Sequence, residues 1–269
     1  MVDVPLTWQL AKFGLSVSMV LGLGTIAVRA SPRIAGLLSG YPLGTALALF
    51  FIGLEISPTF ATQSAVHTLA GFTATMALGA GYLVAGRQTG LKGVMGGLLG
   101  GFAAWLAVST LLAQFSFTRL TGTLVTLCAI GVFSWLFRAI PDVKSSARRA
   151  FSWPALAARA GLATLIVFAI TRTAHWLPPE WAGTLAAFPV TMLPFLLILH
   201  VGHGHAPVAT VIKHYPAGLG SLLSYTLCVS YTYSSLGLFL GERWRGFLAA
   251  TLWLLGWMQL TAWYQRRNT

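Results

Sequence analysis

The most informative feature of this sequence is how little charge it carries. Only 8% of its 269 residues are charged, only five are acidic, and 56% are hydrophobic. A soluble domain typically has about a quarter of its residues charged. The composition therefore excludes an ordinary soluble enzyme, a disordered chain and a fibrous repeat. It predicts an all-α polytopic membrane protein in which residues 1–269 form a single membrane domain.

Sequence signatures of catalysis and cofactor binding are also missing. The two cysteines, Cys128 and Cys228, lie in apolar segments and form neither a disulfide framework nor a metal-binding pair. No Cys-x-x-Cys motif, phosphate loop or dinucleotide fingerprint occurs. No nucleophile–base pair stands out, so we expect that the protein is not an enzyme and holds no cofactor.

Nine apolar segments account for most of the chain and predict about nine transmembrane helices. The eighth is too long for one straight span, so we expect an interfacial or re-entrant start over 207–215 and a crossing helix over 216–240. The nine segments are 8–28, 35–56, 60–86, 91–113, 120–139, 153–175, 181–201, 207–240 and 246–264.

The net charge is +12, but the distribution of the basic residues indicates the orientation of the protein in the membrane and not nucleic-acid binding. The basic residues sit singly or in pairs at the ends of apolar segments. Placing the basic loop 138–149 in the cytoplasm puts 12 basic residues inside and five outside. The sequence therefore predicts an outside N-terminus and a cytoplasmic C-terminus, and its compactness suggests the bacterial inner membrane.

The sequence also resembles itself at a fixed offset of 147 residues. Residues 11–71 align without a gap with 158–218, and 14 of the 61 positions are identical. The offset spans five predicted helices, and a unit with an odd number of helices must re-enter the membrane upside down. We therefore predict a 5+4 inverted-topology repeat, as in many secondary transporters. Its halves are 11–139 and 158–264, joined by a basic cytoplasmic linker over 140–152.

Two pairs of repeat-equivalent residues are candidates for a substrate or proton pathway. Pro42 and Pro189 lie early in the second helix of each half, where a proline either breaks the helix near a substrate or only kinks it. His67 and His214 lie in the third helix, and we expect them to line one polar cavity near the midplane. The alternative is that both histidines are interfacial or bonded to backbone carbonyls.

Further candidates for the same pathway are Glu55, Ser221 and Tyr225. Glu55 is the only acid embedded in an apolar run and is the best acidic candidate for proton coupling, although an exposed charge at a helix end is equally compatible. Ser221 and Tyr225 continue the helical face of His214 and predict the wall of a cavity. Lys12 and Arg159 are also repeat-equivalent and are expected to be snorkelling anchors, or else gate residues.

Two features indicate possible partners other than the lipid bilayer and a small solute or ion. His200, His203 and His205 are close enough in sequence to predict a weak transition-metal site, with a flexible surface turn as the alternative. The glycine-rich helix 91–113 predicts close helix packing, either within the chain or in a homodimer.

Together these features predict a small secondary transporter that works by alternating access. Its energy would come from an ion gradient, with protons as the simplest coupling ion, from a partner chain or from the gradient of the substrate itself. The alternatives are a membrane protein that binds metal or haem through histidines and an assembly subunit of a membrane complex. No nucleic-acid partner is expected.

Overall fold

The computed structural model describes residues 6–29, 32–143 and 153–241, and scattered positions between 248 and 259. These residues form helices and turns without any strand, so the predicted all-helical architecture is confirmed for this part of the chain. The ten helices are α1 (Leu6–Arg29), α2 (Pro32–Ser39), α3 (Leu43–Glu55), α4 (Pro58–Ala85), α5 (Gly90–Leu112), α6 (Arg119–Phe137), α7 (Trp153–Ala174), α8 (Pro179–Ala186), α9 (Met192–His203) and α10 (His205–Gly241).

Five helical segments of this part of the chain are long and apolar enough to cross a membrane: Ile34–Glu55, Pro58–Ala85, Gly90–Leu112, Arg119–Phe137 and Pro154–Ala174. The predicted spans 35–56 and 181–201 are each built from two helices, α2 with α3 and α8 with α9. The ninth predicted span, 246–264, lies largely outside the described residues. The linker predicted over 140–152 is described only as far as Val143.

The prediction that the eighth span has a separate start over 207–215 is wrong, because α10 is one continuous helix of 37 residues. Pro216 lies inside it and removes one backbone donor, which would ordinarily weaken the helix at this point. Contacts of α10 with α2, α4 and α6 hold the helix together across the proline. At 1.5 Å per residue the helix is about 55 Å long, so it extends beyond the roughly 30 Å hydrocarbon layer.

The helices differ sharply in how deeply they are buried. Most of α3 and α4 is buried, whereas α5 and α6 leave many apolar side chains exposed. A multi-pass membrane protein presents such side chains to lipid. The exposed set on these two helices includes Leu91, Leu99, Phe102, Leu106, Leu120, Leu124 and Trp135.

The glycines of α5 pack against α4 of the same chain. A Cβ atom at Gly97 would come within 2.8 Å of the Tyr82 ring, and one at Gly101 within 3.1 Å of the Leu78 carbonyl oxygen. These glycines let the two helices approach closely. They are therefore used within the chain, and a homodimer through 91–113 would have to use the opposite, leucine-rich face.

The helices α6 and α10 run in opposite directions and are bonded to each other near both ends. The Arg119 guanidinium at the start of α6 donates to the Ser230 carbonyl oxygen at 2.6 Å. Beyond the end of α6, the Lys213 ammonium of α10 donates to the Ile140 carbonyl oxygen at 2.6 Å. Helix α10 is thus fixed along α6.

Candidate functional site

Two helices of this membrane protein are interrupted, and their interruptions meet in the interior. The first interruption separates α2 from α3 at 40–42 and contains Pro42, and the second separates α8 from α9 at 187–191 and contains Pro189. The Thr191 hydroxyl donates to the Ser39 carbonyl oxygen at 3.3 Å and joins the two. Both prolines thus lie at a break in a helix and not at a simple kink, while their role in transport stays a prediction.

Hydroxyl groups from α4 and α10 bond the backbone carbonyls at these interruptions. The Ser221 hydroxyl of α10 donates to the Gly40 carbonyl oxygen. The Thr75 hydroxyl of α4 donates to the Ala187 carbonyl oxygen at 2.6 Å. Because an unbonded carbonyl is costly inside a membrane, these hydroxyls stabilise the interrupted backbone.

The junction between the two interruptions is closed. The space there is only about 10 Å³ and is lined by Ser39, Tyr41, Thr45, Phe188, Thr191 and Tyr215 among others. That is roughly the minimum needed to hold one water molecule. Tyr225, which was predicted to line a cavity, is fully buried on α10 one turn after Ser221. A solute can therefore reach the interruptions only if helices move.

His67 and His214 do not line one cavity, so this prediction is wrong. The His67 ring packs against Phe117, which precedes α6, and its Nε2 lies 3.9 Å from a Glu180 carboxylate oxygen. The His214 Nε2 lies 2.9 Å from a carboxylate oxygen of Asp142, which follows α6. Helix α6 has 19 residues and is therefore about 28 Å long. The two histidines lie toward opposite ends of it.

Asp142 lies in the segment after α6 and contacts the side chains of Lys213 and His214 on α10. Its carboxylate lies 3.2 Å from the Lys213 ammonium and 2.9 Å from His214. Partial burial acts to raise the pKa of Asp142, but the hydrogen bonds and charges of His214 and Lys213 outweigh burial and lower that pKa below its usual value of 3.8.

We expect Asp142→Asn to lower the free energy of unfolding at pH 7 by less than about 1 kcal/mol, because the carboxylate is partly exposed. A lowered pKa means that this contribution is fully present above the unfolded pKa near 3.8 and is lost as the pH falls through the folded value. Thermal unfolding followed by tryptophan fluorescence should separate variant and wild type at pH 7, and the difference between them should be smaller at pH 3. An equal difference at both pH values would contradict the prediction.

A second polar group, the Lys12–Glu55–His175 cluster, lies between α1, the end of α3 and the turn after α7. Glu55 forms an ion pair with the Lys12 ammonium, and its second oxygen lies 3.2 Å from the His175 Nε2. The Lys12 ammonium also donates to the Thr171 hydroxyl at 2.7 Å. The Glu55 side chain is only 2% exposed. Glu55 is thus a paired, buried carboxylate and not an exposed charge at a helix end.

The surroundings of Lys12 rule out the predicted role as a snorkelling anchor. The residue is 4% exposed, and its ammonium lies 5.2 Å and 4.9 Å from the ring centres of Phe51 and Phe168. A snorkelling lysine extends its ammonium into water, whereas here the charge is held by Glu55 and two aromatic faces. A cavity of about 470 Å³ borders the cluster and is lined by Gln9, Lys12, Glu55, Phe168, Thr171 and Arg172 among others.

His200 and His203 at the end of α9 and His205 at the start of α10 do not form the predicted metal site. The His200 Nδ1 is bonded to the Tyr82 hydroxyl at 2.9 Å, and the His205 Nε2 to the Leu83 carbonyl oxygen at 3.1 Å. His203 is exposed. Among the described residues, no group of three His, Cys, Asp or Glu side chains is arranged to hold a metal ion. His200 and His205 instead form hydrogen bonds that link them to α4.

Several residues at the junction of the interrupted helices and in the Lys12–Glu55–His175 cluster could not be identified from the sequence. Thr75 and Thr191 are hydroxyl residues in largely apolar segments, and His175 lies just beyond the end of α7. One signal was available for Thr191, because it falls two residues after the repeated proline. His175 offered no pattern, since only the fold brings it to Glu55.

No known protein family, characterised protein or solved structure shows significant similarity to this chain.

Proposed function

We propose that this protein is a small secondary transporter that moves a solute across the membrane by alternating access. The observation that carries the proposal is the meeting of two interrupted helices whose carbonyls are bonded by hydroxyls of α4 and α10. Discontinuous helices of this kind form substrate sites in many transporters, because their backbone groups can bind a solute within the membrane.

An inverted repeat is part of the proposal and is supported by the positions of the helices. The first residues of α1, α2 and α4 precede those of α7, α8 and α10 by 147 residues in every case. This is the offset at which the sequence resembles itself. The inverted halves then comprise α1–α6 and α7–α10 with the segment that follows.

The close contacts between the halves repeat at the same offset. Gly36 of α2 packs against Val211 and His214 of α10. The residues 147 positions away form the exchanged contact, in which Gly183 of α8 packs against His67 of α4. A two-fold axis between the halves accounts for both contacts at once.

The direction of the helices agrees with inversion. His205 at the start of α10 is bonded to Leu83 near the end of α4. At the other end, His67 of α4 packs on Phe117, close to Arg119 that binds Ser230 of α10. The helices α4 and α10 therefore run antiparallel, as an axis in the membrane plane requires.

We further propose that Glu55 couples solute movement to protons. A buried carboxylate paired with a lysine and beside a cavity of about 470 Å³ can change its charge when water reaches it. Protonation of Glu55 would free Lys12 and loosen the contact of α1 with the end of α3 and with α7. In this way a proton can bias one arrangement of the helices over another.

The proposed orientation has the N-terminus outside and the C-terminus in the cytoplasm of a bacterial inner membrane, because of the 12-to-5 division of basic residues. Reporter fusions at Thr269 and within 142–149 should both give a cytoplasmic signal. A periplasmic signal from either fusion would reject this orientation.

Alternating access can be tested without knowing the solute. In a chain with Cys128→Ser and Cys228→Ser, the buried variant Thr191→Cys should react with a membrane-impermeant maleimide from each side of the membrane. The control Leu49→Cys, fully buried in α3, should not react from either side. Absence of Thr191→Cys labelling from both sides would favour a non-transporting assembly subunit.

Proton coupling can be tested in the same labelling assay. A maleimide reacts with the thiolate, so the labelling rate of Thr191→Cys rises with pH through the ionisation of the thiol itself, and proton coupling should add a second pH-dependent change to this profile. The double change Lys12→Gln/Glu55→Gln should remove this second change without leaving an unpaired charge. An unchanged pH profile in the double variant would assign coupling to another group.

A further inference from the structure

Arg159 is a buried cation whose charge is not balanced by any described residue. The residue is 3% exposed and lies on α7, 147 positions after Lys12. Its Nε and Nη1 atoms are buried and have no hydrogen-bond partner among the residues that the structure describes. Burial of an ion is costly unless it is paired and hydrogen-bonded. The guanidinium therefore needs an anion.

The aromatic contact of Arg159 leaves its hydrogen-bond donors available. The guanidinium lies over the Phe195 ring, 4.7 Å from its centre. A cation–π contact attracts the charge of the guanidinium and forms no N–H···O hydrogen bond, so the Nε and Nη1 donors remain unused. The planar fork of guanidinium donors matches the two oxygens of a carboxylate or phosphate.

No acid in the described part of the chain is left to pair with Arg159. Glu55 binds Lys12 and His175, and Asp142 binds Lys213 and His214. The one other acidic residue in the described part of the chain is Glu180, which lies near His67.

The repeat explains why Arg159 differs from Lys12. Lys12 has Glu55 as its counter-ion, and the residue 147 positions after Glu55 is Gly202, which has no side chain. One half of the protein thus carries its own carboxylate, and the equivalent place in the other half is left without one.

We propose that Arg159 binds an oxyanion, through its in-plane N–H donors, where the other half uses Glu55. The ligand chemistry is that of a carboxylate or phosphate, supplied by a small solute or by a phospholipid headgroup. This inference concerns binding at equilibrium and stands whether or not the protein transports.

The experiment uses the full-length, delipidated protein in detergent at constant ionic strength. The midpoint of thermal unfolding is followed by tryptophan fluorescence while acetate, inorganic phosphate, short-chain phosphatidylglycerol or phosphatidylcholine is added. The wild type should show a saturable rise in the midpoint. Arg159→Lys, which keeps the charge but loses the fork, should need about tenfold more anion. Arg159→Met should show no rise, and circular dichroism should establish that it is folded.

The matched control is Arg138→Gln, which removes an exposed arginine that lies over Trp135 and should respond to anions as the wild type does. A rise with acetate or phosphate assigns the site to a soluble anion, and a rise with phosphatidylglycerol alone assigns it to a lipid headgroup. No rise in the wild type, or an equal rise in Arg159→Met, would overturn the proposal. A rise that appears only after Asp3→Asn or Glu242→Gln would also overturn it, because a carboxylate of the chain would then be the partner.

Discussion

Neutralising either Lys12 or Glu55 alone should lower the free energy of unfolding by about 3–5 kcal/mol, because each change leaves a buried charge without its partner. Replacing both residues, in Lys12→Met/Glu55→Leu, should recover most of this loss. Apolar side chains of similar volume often stabilise an interior as well as a buried ion pair does, and Phe51 and Phe168 already form apolar walls around the ammonium. Unfolding in a denaturing detergent, followed by tryptophan fluorescence, would supply the double-mutant cycle.

Arg172→Gln is the control for this cycle, because Arg172 lines the same cavity but is exposed. Its effect on the free energy of unfolding should stay within about 0.5 kcal/mol. If the losses from the two single changes simply added in the double variant, Lys12 and Glu55 would not be energetically coupled.

Adding one methyl group at Gly36 or at Gly183 should destabilise the protein by about 1–3 kcal/mol in both cases. The new Cβ atom at Gly36 would come within 2.5 Å of the Val211 carbonyl oxygen, and the one at Gly183 within 2.8 Å of the His67 Cβ. Neither neighbour is the free end of a flexible side chain, so α2 must move away from α10, or α8 from α4. The same detergent unfolding assay measures both variants.

Gly131→Ala is the matched control, because it is also a glycine inside a helix but has no atom within 4 Å of the position where a Cβ would be. It should be neutral or should stabilise the protein by up to about 1 kcal/mol, since alanine favours helix more than glycine does. If Gly36→Ala and Gly183→Ala behaved like Gly131→Ala, the close packing of α2 on α10 and of α8 on α4 would be wrong.

The positions of most helices could be predicted from the sequence, because apolar length alone decides what can lie in lipid. The predicted span 91–113 became Gly90–Leu112, and 120–139 became Arg119–Phe137. Continuity across Pro216 could not be predicted, since it depends on contacts of α10 with other helices. The prolines Pro42 and Pro189 could be identified from the sequence, but their effect on the helices could not, because a proline looks the same in sequence whether it lies in a first turn, at a kink or at a break.

The candidate site was harder to predict, because repeat equivalence does not give distance. His67 packs against Gly183 and His214 packs against Gly36, but the proposed two-fold axis would relate near and distant pairs of residues alike. The pair formed by Glu55 and His175 has no repeat equivalent and no sequence spacing that could have indicated it. Contacts of this kind are set only when distant helices pack.

The packing of α2 on α10 and of α8 on α4 has a consequence for synthesis of the chain. The first half cannot bury α2 until residues near Gly218 have been translated. The glycine-rich surfaces of the early helices therefore have no packing partner, in the membrane or on a chaperone, until more than half of the chain that follows them has been synthesised. Insertion into the bilayer can proceed helix by helix, but the final packing has to form late and across large sequence separations, such as the 181 residues between Gly40 and Ser221. Such late, long-range packing is the step most exposed to misassembly.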